Sequence, residues 1–279
     1  MTALYVVLGI VAVLAIAYLL MIMPRMTGKP DTSMFMEHLY AHRGLFDNES
    51  DAPENSLKAF KKAVDAGFGI EMDVQLTKDD VAVVFHDGKL KRMCGVEGKV
   101  CDFTYEELQQ FSLLESEEKI PLFTDVLKVV DGKVPLIIEY KIDNTKPKVC
   151  EIGNEILENY KGVYCIESFN PFGVKWYKNH RKDIVRGQLS EEFIKNGMKK
   201  KLLYFIMANL LSNFITKPDF IAYNAQNYKN LSRRICRKLY KNLAVTWTIK
   251  SQEQLDEMRD HFDLFIFDSF VPDADYMKK

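Results

Sequence analysis

The stretch from Gly69 to His86, GIEMDVQLTKDDVAVVFH, contains two β-rich runs with a short polar segment between them. The first run is Gly69–Val74 and the second is Val81–His86. A crossover between parallel strands needs about a dozen residues, and Gln75–Asp80 is shorter than that. We therefore predict an antiparallel hairpin that turns at Lys78–Asp80 and brings His86 back to the end of the first strand.

Outside this hairpin, β-rich runs alternate with helix-length segments. The predicted strands are Leu39–Arg43, Gly69–Val74, Val134–Lys141, Val163–Ser168, Ile184–Leu189, Phe220–Tyr223, Leu243–Ile249 and Leu264–Asp268. The predicted helices are Asn55–Ala66, Tyr105–Phe111, Lys146–Tyr160, Pro171–Arg181, Glu191–Ile215, Asn227–Asn242 and Gln252–Asp260. Such alternation indicates an α/β fold, and eight strands predict a (β/α)8 TIM-type barrel with its site at the carboxyl ends of the strands.

The N-terminus carries a long apolar segment, Ala3–Met23, without a charged side chain. As a helix it would be about 30 Å long, enough to cross a bilayer core. No basic residue precedes it, and bulky residues occupy the end where signal-peptide cleavage needs small ones, so an uncleaved transmembrane helix is favoured over a signal peptide. We expect an anchor at residues 1–24, a linker at 25–37 and a barrel domain at 38–279.

The charges beside this segment favour one orientation. Arg25 and Lys29 follow it, which by the positive-inside rule places the barrel domain in the cytoplasm. The chain has 5 cysteines and no Cys-x-x-Cys pair, so we expect free thiols, with a Cys94–Cys101 disulfide as the alternative. The 38 basic and 39 acidic residues nearly cancel, which argues against a nucleic-acid partner. No protein partner is inferred.

Charged residues at strand ends are the candidate site. Glu71 and Asp73 are two apart on one predicted strand, so both side chains point the same way. Glu139 and Lys141 repeat this spacing on the next barrel strand. Three carboxylates at one rim would repel each other unless a cation neutralised them. Oxygen ligands favour one divalent cation, Ca²⁺ or Mg²⁺.

Two histidines flank this cluster in the predicted barrel. His42 and His86 are candidates for the general base and the general acid, and Arg43 and Lys141 for binding phosphate oxygens. Together with a cation these groups suit a phosphodiester substrate, although each motif alone is weak. Asn55 is interpreted as a helix cap.

The sequence resembles the glycerophosphodiester phosphodiesterase family over about residues 38 to 270. The motifs that carry the resemblance are His42-Arg43-Gly44, Pro53-Glu54-Asn55-Ser56, Ile70–Asp79, Val83–Asp87, Leu90-Lys91-Arg92, Gly98–Thr104, Ile120–Phe123 and Ile138–Lys141, with weaker matches at Ser168-Phe169, Trp247-Thr248 and Phe267-Asp268.

The resemblance implies metal-dependent hydrolysis of a glycerophosphodiester to sn-glycerol 3-phosphate and an alcohol. It implies that Glu71, Asp73 and Glu139 are metal ligands and that His42 and His86 are the acid/base pair. It also implies that Arg43 and Lys141 contact the phosphate and that Trp247 is an aromatic wall of the pocket. The chain departs from the family pattern at Asp80, at Lys250 and in the closing strand, which puts the substrate preference in doubt.

A second apolar segment, Leu202–Thr216, has no charge and is flanked by lysines. We expect part of it to lie in the membrane interface beside the barrel mouth, where the bilayer would be a partner and a lysolipid a favoured substrate. Three alternatives remain open: a lysophospholipase D, a phosphoinositide-type phospholipase C, and a catalytically silent membrane-tethered barrel that binds lipid.

Overall fold

The computed structural model describes residues 2–143, 145–199, 201–273 and 276. The helices are α1 (Thr2–Ile22), α2 (Leu57–Asp65), α3 (Lys91–Cys94), α4 (Tyr105–Leu108), α5 (Phe123–Val130), α6 (Lys148–Leu157), α7 (Pro171–His180), α8 (Leu202–Ala208), α9 (Asn213–Thr216), α10 (Leu231–Lys238) and α11 (Gln252–Met258). The strands are β1 (Tyr40–His42), β2 (Gly69–Leu76), β3 (Ala82–Val84), β4 (Leu136–Tyr140), β5 (Tyr164–Ser168), β6 (Arg186–Ser190), β7 (Phe220–Asn224), β8 (Leu243–Ile249) and β9 (Leu264–Phe267).

Eight parallel strands close into a barrel in the order β1, β2, β4, β5, β6, β7, β8 and β9, and β9 pairs back to β1. The predicted (β/α)8 barrel is therefore confirmed. Each predicted strand run corresponds to one of these strands, and no end differs by more than two residues. The buried parallel strands are apolar enough to be recognised individually.

The predicted hairpin is also confirmed. β3 runs antiparallel to the end of β2, with Val84 opposite Val74 and Ala82 opposite Leu76. Asp80 adopts a left-handed φ of 62° in the turn, a conformation that Asp tolerates better than most residues. After the hairpin, residues 85–122 form an excursion that packs around its own apolar cluster.

Alternation along each strand sorts its side chains between two environments. Apolar side chains fill the base of the barrel interior, among them Ile137, Cys165, Phe220 and Val245. Two residues after Ile137, the same inward face of β4 presents Glu139, which is 6% exposed. The interior is therefore apolar at its base and charged at the carboxyl ends of the strands.

Two sequence-based expectations about helices are wrong, and two helices, α3 among them, were not anticipated. The segment Glu191–Ile215 is not one helix, because residues 191–199 are turns and loop and Leu210 has a positive φ of 57° that separates α8 from α9. Helix α5 was not predicted, although it buries one apolar face. Asn55 does not cap α2. Instead the Ser56 hydroxyl accepts the Ala59 N–H at 3.1 Å.

The last turn of α1 packs against the barrel between α9 and α10. Ile22 is fully buried, and its carbonyl accepts a hydrogen bond from Asn213 Nδ2 at 2.8 Å. The Tyr18 hydroxyl lies 2.8 Å from Ser232 Oγ. The preceding turns, residues 2–17, are exposed, and α1 is long and apolar enough to cross a membrane. All five cysteines are free thiols, as expected.

Candidate active site

Strand register brings the predicted site residues to the same level at the barrel mouth. His42 is paired with Glu71, Asp73 with Glu139, and Glu139 with Glu167. Parallel pairing keeps the carboxyl ends of β1, β2, β4 and β5 together. The sequence positions are far apart, but the side chains at the mouth converge.

Three buried carboxylates form the centre of the site. Glu71, Asp73 and Glu139 each offer one oxygen, and these oxygens all lie within 4.8 Å of one another. Burial raises the pKa of Glu71 well above its ordinary value, and the charges of Asp73 and Glu139 raise it further. Like charges held this close in a buried site favour the binding of a cation between them.

Lys141 supplies part of the compensating charge. Its Nζ lies 2.9 Å from Asp73 Oδ1 and 2.7 Å from Glu139 Oε2. Burial would raise the pKa of Asp73, but the positive charges around it, Lys141 above all, lower that pKa below its ordinary value. Asn55 Nδ2 also donates to Asp73 Oδ2 at 3.0 Å, which explains why Asn55 points inward.

A fourth carboxylate, Glu167, was not predicted to be part of the site. It is 1% exposed and lines a cavity that Glu71 and Glu139 also line. Its Oε2 has no hydrogen-bond partner among the described residues. Burial raises the pKa of Glu167 well above its ordinary value, and the charge of Glu139 adds to this effect. The donor set contains only oxygen atoms, which fits a hard divalent cation.

His42 is oriented by Asp268, whose carboxylate Oδ2 lies 2.8 Å from His42 Nδ1. The other ring nitrogen, Nε2, lies 3.9 Å from Glu71 Oε2. A carboxylate at Nδ1 holds the proton on that nitrogen and leaves Nε2 directed toward the site. Burial lowers the pKa of His42, and the hydrogen bond with Asp268 opposes this effect.

His86 has a carboxylate partner of its own. Asp87 Oδ1 lies 2.8 Å from His86 Nδ1 and orients the ring. Arg92 donates to Asp87 Oδ2 at 2.7 Å and to Glu54 Oε1 at 2.6 Å. Glu54 is buried, and a chain of charged hydrogen bonds therefore supports His86 from behind.

Arg43 is held firmly by acidic neighbours. It donates to Glu54 Oε1 at 2.7 Å, and its Nε lies 3.7 Å from Asp73 Oδ2. Its backbone N–H also donates to Glu71 Oε2 at 3.2 Å. Arg43 has a left-handed φ of 57°, and this turn places its side chain over the carboxylates.

These groups line a cavity of about 440 Å³. Trp247 forms one wall, and Phe169 meets it edge-on with ring centroids 5.5 Å apart. Trp247 Nε1 is buried without a hydrogen-bond partner in the described part of the chain. An unpaired donor in a cavity wall is suited to an oxygen of a bound molecule.

Every predicted site residue lies at this cavity or contacts a residue that lines it. The structure adds five polar residues that sequence reasoning had given no role in the site, namely Glu54, Asp87, Arg92, Glu167 and Asp268. All five lay within quoted sequence motifs or predicted strands. Their contacts depend on how distant strands pair, which no local pattern reveals.

Comparison with known proteins points to one family. The sequence model described as "Glycerophosphoryl diester phosphodiesterase family" matches residues 42–266. A glycerophosphodiester phosphodiesterase from Bacillus altitudinis is 38% identical over 136 residues, which cover 45% of this chain and 54% of that protein. One from Caldanaerobacter subterraneus subsp. tengcongensis is 41% identical over 148 residues, which cover 48% of this chain and 59% of that protein. The match thus spans little more than half the length of these curated relatives.

The fold has counterparts among solved structures. A phosphodiesterase from Oleispira antarctica, solved in complex with the product sn-glycerol-3-phosphate, superposes with a TM-score of 0.68. It is 20% identical, and the match covers 83% of this chain and 93% of that chain. At this identity the similarity establishes the shared barrel.

Proposed function

We propose that this chain, which belongs to the glycerophosphoryl diester phosphodiesterase family, hydrolyses a glycerophosphodiester to sn-glycerol 3-phosphate and an alcohol. The observation that carries the proposal is the set of buried carboxylates at the barrel mouth with two carboxylate-oriented imidazoles on the same cavity. Neither feature is needed to hold the barrel together, since burying uncompensated like charges destabilises a fold.

Glu71, Asp73 and Glu139 would hold one divalent cation, Ca²⁺ or Mg²⁺, with Glu167 beside them. Such a cation would draw electron density from a non-bridging phosphate oxygen and stabilise the charge that develops on it. Arg43 and Lys141 add fixed positive charge next to this place, and Trp247 Nε1 offers a hydrogen bond from the wall.

His42 and His86 would move the protons. One imidazole takes the proton of the attacking hydroxyl, which belongs to water or to the neighbouring glycerol carbon, as a new P–O bond forms. The other gives a proton to the alcohol oxygen as the original P–O bond breaks. Where the glycerol hydroxyl has attacked, water then opens the resulting cyclic phosphate to sn-glycerol 3-phosphate, with the two imidazoles in exchanged roles. Asp268 and Asp87 hold the Nδ1 protons, so that Nε2 of each imidazole is the nitrogen that takes up or gives up the transferred proton.

The experiment is a metal-supplemented assay of the purified full chain against glycerophosphocholine, glycerophosphoglycerol and lysophosphatidylcholine, with identification of the products. His42→Ala and His86→Ala should each lower kcat by roughly 10²–10⁴-fold, because each removes one acid/base group. His180→Ala on the outer helix α7 is the matched control and should behave as the wild type. Near-normal turnover in either of the first two variants would remove that histidine from the mechanism.

We further propose that α1 anchors the chain in a membrane, with residues 25–37 as linker, residues 38–279 as barrel domain, and the barrel on the cytoplasmic side. The support is the exposed apolar surface of residues 2–17 and the two basic residues, Arg25 and Lys29, that follow the helix. Protease protection in right-side-out sealed vesicles tests the side. Digestion of the barrel by protease added outside these vesicles would contradict the proposal.

A further inference from the structure

A second cavity, of about 660 Å³, lies beside the active site and is lined mostly by apolar side chains. The apolar side chains that line it come from four parts of the chain, including Phe169, Phe172, Leu203 and Phe214, and among the described lining residues only Asp143 is charged. We call this cavity the apolar groove. Its volume falls in the range of about 300–1,000 Å³ that is typical of small-molecule sites.

The groove adjoins the active site. Phe169 lines both cavities. Its ring packs against Trp247 on the active-site side, at 5.5 Å between centroids, and against Phe193 at 6.0 Å on the other. Phe193 in turn stacks on Tyr204 of the groove at 5.4 Å. An unbroken row of aromatic rings therefore leads from the cation site to the groove.

The groove also meets α1, because Met21 is one of its lining residues. Tyr18 contacts the first turn of α10, which follows the carboxyl end of β7, whereas the Arg25 N–H bonds the Pro218 carbonyl just before β7. The helix therefore descends from the mouth of the barrel toward its base. Its exposed apolar turns leave the barrel on the mouth side, next to the groove.

We propose that the apolar groove binds the acyl chain of a single-chain glycerophospholipid while the phosphodiester of the same molecule occupies the active site. This inference rests on the proposed function and assigns its substrate to lysophospholipids. Phe169 marks the point where the glycerol passes from one cavity to the other. The chain then extends toward Met21, where α1 would deliver it from the bilayer.

The lining of the groove favours a hydrocarbon chain over a peptide or a second copy of the protein. A bound peptide needs partners for its backbone N–H and C=O groups, and apolar side chains offer none. The exposed neighbours of the groove extend its apolar surface: Leu202 is 75% exposed and Phe205 is 52% exposed. Such a surface beside a membrane-spanning helix would lie in the lipid interface, where lysophospholipids reside.

The kinetic test uses the full chain in phosphatidylcholine vesicles and compares kcat/KM for lysophosphatidylcholine with kcat/KM for glycerophosphocholine, from choline release. We expect the wild-type ratio to exceed ten, since each buried methylene is worth up to about fourfold in affinity. Leu203→Gln, which places an amide in the groove, should lower this ratio at least tenfold. Leu239→Gln is the matched control, because Leu239 is an exposed leucine at the C-terminal end of α10 that does not line the groove, and should keep the wild-type ratio.

A binding arm separates this inference from the proposed function. The His42→Ala chain is incubated with a lysophosphatidylcholine that carries a photoreactive group at the end of its acyl chain, and the labelled peptides are identified. Labelling of the peptides that contain Phe172, Leu203 and Phe214 supports the groove even if no substrate is turned over. Labelling restricted to α1 and α10, crosslinking to a second copy, or a wild-type ratio near one with active hydrolysis of glycerophosphocholine would overturn it.

Discussion

Asp268 Oδ2 lies 2.8 Å from Nδ1 of His42, although 226 positions separate the two residues in the sequence. Closure of the barrel by β9 against β1 creates this contact. Asp268 is thereby positioned to hold the His42 ring in one orientation and one tautomer, with Nε2 facing the carboxylate cluster.

Asp268→Asn should therefore lower kcat by about 10²-fold, while KM for glycerophosphocholine changes little, because the amide cannot hold the same tautomer without reorganisation. Steady-state kinetics with saturating cation provide the measurement. Asp260→Asn, at an exposed turn residue just after α11, is the control. If Asp268→Asn raised only KM, Asp268 would act in substrate binding and not in positioning His42.

Arg92 links Asp87 to Glu54, and this link predicts a pH-dependent stability. Burial would raise the pKa of Glu54, but hydrogen bonds from Arg92 and the charge of Arg43 lower it to about 2. Because the folded pKa is lower than the unfolded one, this contribution is present above about pH 4.5 and is lost as the pH falls toward 2. A shift of this size corresponds to roughly 3 kcal/mol.

Arg92→Met should accordingly reduce the free energy of unfolding near neutral pH, and the difference from the wild type should shrink as the pH falls from about 4.5 toward 2. Denaturant unfolding at a series of pH values measures this. Lys91→Met is the matched control on the same helix, since the ion pair of Lys91 with Glu97, at 3.3 Å, is exposed and contributes little to stability. A difference that stayed constant with pH would show that Arg92 acts through packing alone.

The carboxylates at the mouth should differ in their effect on cation affinity. Glu71→Gln removes a proposed ligand and should raise the cation concentration for half-maximal activity by roughly 100-fold, with rescue at high Ca²⁺ or Mg²⁺. Glu167→Gln removes a neighbouring charge and should raise that concentration by roughly tenfold. Titration of chelator-treated protein measures both values, with the exposed Glu155→Gln on α6 as control. Equal cation dependence in all three variants would place the cation elsewhere.

Much of the fold could be predicted because its strands are buried on both faces. The eight strands stand out as short apolar runs, and the hairpin followed from the length of Gln75–Asp80 alone. The metal-ligand candidates Glu71 and Asp73 were found through their spacing on one strand. The spacing of residues along a strand and the length of a segment are local properties of the sequence. The strands, the hairpin and the pair of carboxylates depend on little else.

The supporting residues could not be found in this way. Asp268 contacts His42 only because the barrel closes, and Arg92 reaches Glu54 only because the excursion after β3 folds back over the mouth. Asn55 was mistaken for a helix cap because a left-handed backbone, with φ of 57°, turns its amide toward Asp73 instead. Contacts of this kind depend on tertiary structure, which overrides local preference.

The docking of α1 predicts two different outcomes for two N-terminal deletions. Removal of residues 2–16 takes away only exposed turns and should release a folded, active barrel into the soluble fraction. Removal of residues 2–24 also takes away Tyr18 and the fully buried Ile22, and leaves Asn213 Nδ2 without the carbonyl that it bonds at 2.8 Å. We expect this longer deletion to lose about 2–5 kcal/mol of stability, the range for emptied core positions.

Thermal unfolding of both proteins, together with membrane fractionation, measures the difference. Equal melting temperatures would mean that the last turn of α1 belongs to the anchor alone, and a short deletion that stayed in the membrane fraction would show that another surface, with the apolar groove the first candidate, holds the chain there.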